Sequence, residues 1–142
     1  MDRRDFIRLS LAGGAASALP FSTAAQASCA DARAGALYYT EESPGRWAKK
    51  VGSHLPILEK HQDEDGGLII RVTTDHGMHG YRHYIVKHQL FDKTYRFLGE
   101  KLFDPEKDEA VSEFKLPTGY RGTLYALSLC NKHDLWLNSL KI

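Results

Sequence analysis

The chain has 142 residues, of which 42% are hydrophobic and 26% are charged, and its formal net charge at pH 7 is +1. This balance is typical of one soluble globular domain and excludes a chain that is disordered or membrane-embedded over most of its length. Acidic and basic residues are interspersed rather than gathered into a basic stripe, so the composition does not indicate a nucleic-acid partner.

The first 27 residues are predicted to be a targeting signal rather than part of the fold. Arg3-Arg4 precedes a weakly apolar stretch from Leu9 to Phe21, and Ala25-Gln26-Ala27 offers the small–x–small pattern of a signal-peptidase site. The arrangement resembles a bacterial twin-arginine export signal. An ordinary secretory signal with a chance arginine pair is the alternative. We expect cleavage near Ala27 to leave residues 28–142 as a periplasmic domain that no longer contacts a membrane.

The rest of the chain consists of short β-type runs separated by turn residues, a pattern typical of antiparallel β proteins. Residues 46–51 are the one weak helix candidate. We predict strands at residues 36–40, 68–74, 83–91, 94–103, 111–116, 122–130 and 135–142. Several short strands at regular spacing, without helical periodicity, favour an all-β fold, an Ig-like antiparallel β-sandwich of about seven strands.

A cysteine and a histidine stand three residues apart near the C-terminus, at Cys130 and His133. In a loop that leaves a strand, a thiolate and an imidazole at this spacing can reach one ion. Iron, zinc and copper all accept both ligand types. The pair by itself is equally consistent with a buried thiol beside a surface histidine.

A second segment contains three histidines within eight residues, namely His76, His79 and His83. Crowded imidazoles disfavour one another's protonated forms, which suits them to bind metal. The alternative is an exposed polar loop. The remaining histidines of the mature chain apart from His54, which are His61 and His88, are predicted to be surface residues or supports for the ligands.

Three segments resemble motifs of the superoxide reductases (desulfoferrodoxin and neelaredoxin) and occur in that family's order. Residues 54–59, His-Leu-Pro-Ile-Leu-Glu, are similar to the family's His-Val-Pro-Val-Ile-Glu. His76-Gly77-Met78 and His83-Tyr84-Ile85 are similar to its His-Pro-Met and His-Tyr-Ile. Residues 130–136 are similar to its Cys-Asn-x-His-Gly-Leu-Trp. The resemblance covers most of residues 50–136 and implies a seven-stranded Ig-like β-sandwich.

The resemblance also implies a mononuclear iron centre, cycling between Fe2+ and Fe3+, with four equatorial histidines, one axial cysteinate and a sixth position open to superoxide. Carried onto this sequence, the metal ligands are His54, His76, His83, Cys130 and His133. The implied reaction is the reduction of superoxide to hydrogen peroxide, after which an external electron donor returns the electron. With no rubredoxin-like four-cysteine domain before the sandwich, the chain resembles the one-domain neelaredoxin type, which leaves a homo-oligomer open.

Two departures from the family pattern concern the substrate and the choice of ligand. Gly52-Ser53 stand where the family has Glu-Lys, so Lys132 is the predicted steering cation, with Lys49 or Lys50 as alternatives. The loop from His76 to His83 is one residue longer than in the family, which leaves His79 as a rival to His76. Because the Glu-Lys pair is missing, an iron-binding redox or electron-transfer module without efficient superoxide turnover is the alternative function. A zinc or copper site is a third possibility.

Two further departures concern the surroundings of the ligands. Lys87 stands where the family has Trp, and alternation along a strand predicts that it lies on the same face as His83. Asp134 replaces Gly directly after His133. Its carboxylate is predicted to accept a hydrogen bond from a ligating imidazole.

Overall fold

The computed structural model describes residues 32–142. The predicted signal segment, its cleavage site near Ala27 and the second cysteine, Cys29, lie outside these residues. Among the residues described, no helix has both the length and the apolar character needed to cross a membrane.

Seven strands form two antiparallel sheets. The strands are β1 (Ile57–Gln62), β2 (Leu68–Thr73), β3 (Ile85–Phe91), β4 (Phe97–Leu102), β5 (Val111–Leu116), β6 (Thr123–Cys130) and β7 (Asp134–Lys141). One sheet has the order β1-β2-β5, and the other has the order β4-β3-β6-β7. The predicted all-β sandwich is therefore confirmed, and β3 and β4 form an antiparallel hairpin.

The core between the sheets is built from alternate residues of the strands. Strand β6 shows this most clearly, because every second residue from Leu124 to Cys130 is buried and the residues between are half-buried. The main cluster of buried apolar residues comprises Leu58, Leu68, Ile70, Val72, Leu90, Phe114, Leu116, Leu124 and Ala126. A second, smaller cluster joins Cys130 to Ile85, Phe103 and Ala110. The thiol thus lies in an apolar setting at one end of the core.

At the N-terminal side, the structure differs from the prediction in two elements: one predicted strand is absent and one observed strand was not predicted. Residues 36–40 are not a strand, since Tyr39 makes only an isolated bridge to Trp136 in β7. Strand β1 is not predicted because Leu58 is its only buried residue, so the sequence has no alternation to reveal it. The weak helix candidate is observed as a 3-10 turn, Gly45–Lys50, that runs into the short helix α1 (Val51–His54).

A register shift near the start of β3 overturns the predicted position of two side chains. The shift lies between Ile85 and Lys87, so the buried residues become Ile85, His88 and Leu90. Lys87 instead lies on the outer face, where its Nζ is 3.4 Å from Oε2 of Glu100, and its predicted place on the His83 face is wrong. His88, predicted to be a surface residue or a support for the ligands, is fully buried, and its ring nitrogens contact Thr74 and Ser112. His61 is exposed.

Candidate metal centre

The five side chains predicted to bind metal converge at one end of the sandwich. His54 ends α1 before β1, and His76 follows β2. His83 precedes β3, Cys130 ends β6, and His133 lies in the turn into β7. Because the paired strands are antiparallel, the start of β1 meets the end of β2, and the start of β3 meets the end of β6. One potential ligand atom from each of the five residues lies within 4.8 Å of all the others.

The four imidazoles present their nitrogens to one another in a four-cornered arrangement, and three of its four sides are close contacts. Nδ1 of His133 is 2.9 Å from Nε2 of His54 and 3.0 Å from Nε2 of His83. Nε2 of His83 is in turn 3.1 Å from Nε2 of His76. The rings of His54 and His83 occupy opposite corners, with centroids 6.0 Å apart and planes inclined by 27°. His133 therefore offers Nδ1, while the other three offer Nε2.

Cys130 lies beside this four-cornered arrangement of nitrogens. Its Sγ is 3.6 Å from Nδ1 of His133 and 4.0 Å from Nε2 of His76, which occupy opposite corners. The residue is only 2% exposed. The backbone N–H of Lys132 donates to Sγ at 3.5 Å. The sulfur therefore lies beside the four nitrogens, within the smaller apolar cluster of the core.

Ser53 orients the first of these ligands, a role that the sequence analysis did not assign to it. Its hydroxyl is 3.3 Å from the carbonyl oxygen of Lys50 and 2.8 Å from Nδ1 of His54. Since the hydroxyl donates to the carbonyl, it accepts from N–H at Nδ1 of His54. The lone pair of Nε2 then faces the other imidazoles. The only sequence signal was the position of Ser53 next to the ligand.

Asn131 fastens two of the ligand-bearing loops to each other. Its side-chain oxygen accepts from the backbone N–H of Tyr84 at 3.0 Å, and its side-chain nitrogen donates to the carbonyl oxygen of Tyr81 at 3.2 Å. The loop of His83 is thereby tied to the turn that carries Cys130 and His133. Asn131 stands inside the Cys-Asn-x-His motif, but the motif does not reveal its partners.

Burial and mutual proximity hold the four imidazoles in the neutral form. Burial, and then the charges of His76 and His133, lower the pKa of His54 to about 3. Burial, and then the charge of His76, lowers the pKa of His83 to about 4. The pKa values of His76 and His133 are lowered chiefly by burial as well. Neutral imidazole is the form that binds metal, so at pH 7 no proton needs to leave these rings first.

Two lysines contribute positive charge near the imidazoles. The charge of Lys50 lowers the pKa values of His76 and His133, and the charge of Lys132 lowers those of His83 and His133. Lys132 is exposed and Lys50 is half-buried. The structure therefore brings both the predicted steering cation and one of its alternatives to the neighbourhood of the site.

The positions of His79 and Asp134 decide two of the predictions made from the sequence. His79 lies outside the group of five and is exposed, with its ring so close to the backbone that a Cβ at Gly77 would be 2.6 Å from its Nε2. Of the two rivals, His76 is therefore the residue within the cluster. Asp134 accepts hydrogen bonds from Arg46 and Trp47 rather than from a ligating imidazole, so the partner predicted for it is wrong.

The donor set fits a six-coordinate transition-metal ion better than a tetrahedral one. Three of the separations between the inward nitrogens are 2.9 to 3.1 Å. A square with edges of this length would have its centre about 2.1 Å from each corner, close to the usual length of a zinc–imidazole bond. Four nitrogens and one sulfur exceed the four donors of a structural zinc site. Imidazole and thiolate both suit iron, so the residues present fit a mononuclear iron centre.

Comparison with known families matches two parts of the chain. The family model described as Desulfoferrodoxin matches residues 46–139. A model of the twin-arginine translocation pathway signal sequence matches residues 1–20, so the chain carries an export signal. No curated protein is significantly similar to the chain.

Solved structures share the fold. A superoxide reductase (neelaredoxin) from Ignicoccus hospitalis is 28% identical with a TM-score of 0.62, over 76% of this chain and 95% of that one. A hypothetical protein from Pyrococcus horikoshii is 26% identical with a TM-score of 0.54, over 64% and 89%. A superoxide reductase from Nanoarchaeum equitans, at 17% identity and a TM-score of 0.55 over 64% and 94%, supports the fold alone. With its family match spanning all five clustered residues, the protein belongs to the desulfoferrodoxin family.

Proposed function

We propose that this protein is an exported superoxide reductase whose mononuclear iron is bound by His54, His76, His83, Cys130 and His133. The observation that carries the proposal is the convergence of four imidazole nitrogens and a buried sulfur, all within 4.8 Å of one another. Family membership and the similarity to the Ignicoccus hospitalis superoxide reductase support the same activity.

When bound, iron supplies the electron that, together with two protons, converts superoxide to hydrogen peroxide. If the ion took six ligands, these five side chains would leave one position for the substrate. The thiolate of Cys130 would donate electron density to the iron, as thiolates do in haem enzymes that activate oxygen. Ser53 and Asn131 hold the rings and loops, so the ligand atoms are arranged before the metal enters.

Lys132 and Lys50 are the side chains that we assign to substrate capture. Superoxide is an anion, and a cation at the rim of a site raises the rate of encounter with an anion. Both lysines influence the imidazoles electrostatically, and Lys132 directly follows the Cys130–Asn131 pair in the metal-binding turn. Together they supply the positive charge that the lysine of the family's Glu-Lys pair would otherwise contribute.

The mature protein is proposed to be residues 28–142, released into the periplasm by cleavage of the signal near Ala27. The match to the twin-arginine signal supports this location. Each turnover leaves the centre oxidised, so a separate electron donor is required. We assign that donor to another molecule rather than to this domain.

A second candidate function is an iron-binding redox module without efficient superoxide turnover. The observation that favours it is Gly52-Ser53 immediately before the first ligand, where the family has Glu-Lys. Gly52 offers no side chain, and the Ser53 hydroxyl is already engaged with His54. In this alternative the same five residues hold iron, but the centre exchanges electrons only with a protein carrier.

The deciding experiment mixes the reduced, iron-loaded mature protein with superoxide in a rapid-mixing spectrometer and measures peroxide. We expect one iron per chain, oxidation at a rate set by encounter, and one peroxide per iron oxidised. Cys130→Ser should abolish the thiolate-to-ferric absorption, whereas Cys29→Ser, the matched control, should not alter it.

Two other outcomes lead to different conclusions. Iron that cycles with a reductant but ignores superoxide would establish the redox module in place of the reductase. Zinc or copper at full occupancy in protein purified from its own compartment, with no iron-dependent reaction, would show that the site serves another metal.

A further inference from the structure

Asp134 joins the turn that carries His133 to a distant segment of the chain. It is the first residue of β7 and has a left-handed backbone, with φ at 62°. Its Oδ2 accepts a hydrogen bond from Nε1 of Trp47 at 2.9 Å and forms an ion pair with Nη2 of Arg46. One carboxylate oxygen thus holds two consecutive side chains that lie 87 and 88 residues earlier in the sequence.

Trp47 is in turn packed against His133. The edge of one ring meets the face of the other, with centroids 4.7 Å apart and planes inclined by 86°. Trp47 lies where the 3-10 turn bends, with φ of −102° and ψ of 21°. The indole forms a wall beside this imidazole.

Arg46 secures the indole from the other side. Its guanidinium lies over the ring of Trp47 at 5.4 Å and over the ring of Tyr39 at 5.7 Å. Tyr39 is 1% exposed, and its backbone is hydrogen-bonded to Leu135 and Leu137 of β7. The segment that carries Arg46 and Trp47 is therefore anchored to the strand that begins with Asp134.

His133 differs from His54 in how its ring is held. Nδ1 of His54 contacts the Ser53 hydroxyl at 2.8 Å, which fixes that ring through a hydrogen bond. Within residues 32–142, the hydrogen bonds of the His133 ring involve only Nδ1, the atom that faces the cluster. The orientation of this ring consequently depends on the backbone turn and on the contact with Trp47.

From these contacts we propose that Asp134 and Arg46 are positioning residues that hold Trp47 against the imidazole of His133 and so orient its Nδ1 for metal binding. The proposal rests on the metal site proposed above. It assigns a role to a charged pair that lies outside the set of ligands, at a position where the family motif has Gly.

The main test measures the affinity for ferrous iron by competition with a chelator, and the absorption of the ferric form. Asp134→Gly removes the carboxylate and also relieves the left-handed backbone, so the variant should fold at least as well. We expect iron to bind about 10-fold to 100-fold more weakly, the range typical for loss of a partner that orients a ligand. The thiolate-to-ferric band should shift as well.

Arg71→Gln is the matched control, because Arg71 and Glu113 form an exposed ion pair on the other sheet. It should leave both affinity and spectrum unchanged. Arg46→Gln should have a smaller effect than Asp134→Gly, because the hydrogen bond from Trp47 remains. Unchanged affinity and spectrum in Asp134→Gly would overturn the proposal.

A second measurement needs no metal and tests whether Asp134 acts through Trp47. In the metal-free protein, the indole N–H of Trp47 should exchange faster with solvent in Asp134→Gly. The indole of Trp136, which donates to the carbonyl oxygen of His133 at 2.9 Å, serves as the internal reference. The iron affinities of Asp134→Gly, Trp47→Leu and the double variant should be non-additive; additive losses would overturn the proposal. Failure of the parent protein to bind iron would instead reject the proposed function.

Discussion

Two buried histidine environments lie in the same sandwich and differ in how their ring nitrogens are satisfied. At His88, Nε2 is 2.9 Å from Oγ1 of Thr74 and Nδ1 is 2.9 Å from Oγ of Ser112. At the end of the sandwich, the ring nitrogens of four histidines face one another instead. Lone pairs in such an array repel unless a cation lies between them. Burial by itself therefore does not distinguish a candidate metal ligand. The distinguishing feature is a ring nitrogen that faces other ring nitrogens and has no hydroxyl partner.

The position in the fold accounts for the difference. His88 lies within β3 and points between the two sheets, where it meets side chains of β5 and the chain after β2. Its ring also packs edge-on against Phe103 at 4.9 Å. The clustered histidines lie instead on a helix end and on loops, where the backbone is free to aim the rings at a common point.

The largest effect should come from removing one of the four clustered imidazoles. His83→Ala should weaken iron binding by more than the roughly 10–100-fold typical of losing an outer partner, because a ligand itself is lost. His88→Leu should leave the iron stoichiometry and affinity unchanged. Metal analysis after dialysis, followed by chelator competition, measures both. Equal losses in the two variants would contradict the distinction between the two environments.

For the free energy of unfolding we expect His88 to have the larger effect, the reverse of the order expected for iron binding. In His88→Leu the buried hydroxyl of Ser112 loses its partner, whereas Oγ1 of Thr74 keeps its contact with Oγ of Ser128 at 2.9 Å. An unsatisfied buried group costs about 1–3 kcal/mol, so we expect the free energy of unfolding of the metal-free protein to fall by about this amount in urea titrations. The exposed His61 provides the control, since His61→Leu should change it by less than about 0.5 kcal/mol. A small effect of His88→Leu would show that the Ser112 hydroxyl finds another partner.

The acid dependence of stability should sharpen the same comparison. Burial lowers the pKa of His88 from 6.5 to about 4 in the folded protein. Between these pH values the unfolded chain binds more protons, so this group destabilises the fold as pH falls from 6.5 to about 4, with little further loss below. The effect is on the order of 3 kcal/mol. His88→Gln should flatten the curve of unfolding free energy against pH in this window; an unchanged slope would refute the assignment.

The smallest effect should come from the charges at the rim. Lys132→Gln and Lys50→Gln should each lower the second-order rate with superoxide by a few fold at low ionic strength, and the difference should vanish at high salt. Lys141 at the far end of β7 is exposed, so Lys141→Gln serves as the control. A loss in the lysine variants that persists at high salt would mean that they act through the structure of the site rather than through steering.

Local patterns were enough to predict most strands, and the resemblance of three motifs to the superoxide reductases predicted the residues of the cluster. Alternation along β6 and the apolar run of β2 are visible because one face of each strand is buried. Cys130 and His133 are three residues apart, so they can reach one ion in any fold that places them in the same turn. Strand β1 escaped prediction because five of its six residues are exposed, and an edge strand of this kind carries no periodic signal.

Predictions that required a register or a distant partner were wrong. Lys87 and His88 changed places relative to expectation because one register shift reverses every side chain that follows. The partners of Asp134 come from a segment 87 and 88 residues earlier, which no local pattern relates to it. The role of Ser53 likewise depended on the carbonyl of Lys50 one turn before it.

Residue types and short-range periodicity in the sequence determined the all-β architecture. The order of the three motifs, through the family resemblance, predicted which side chains would cluster. The tertiary structure alone decided which nitrogen of each ring faces inward, that His76 rather than His79 joins the cluster, and that His88 is satisfied within the core. Those properties are set by distances between residues far apart in the chain, and such distances exist only once the sheets have paired and packed.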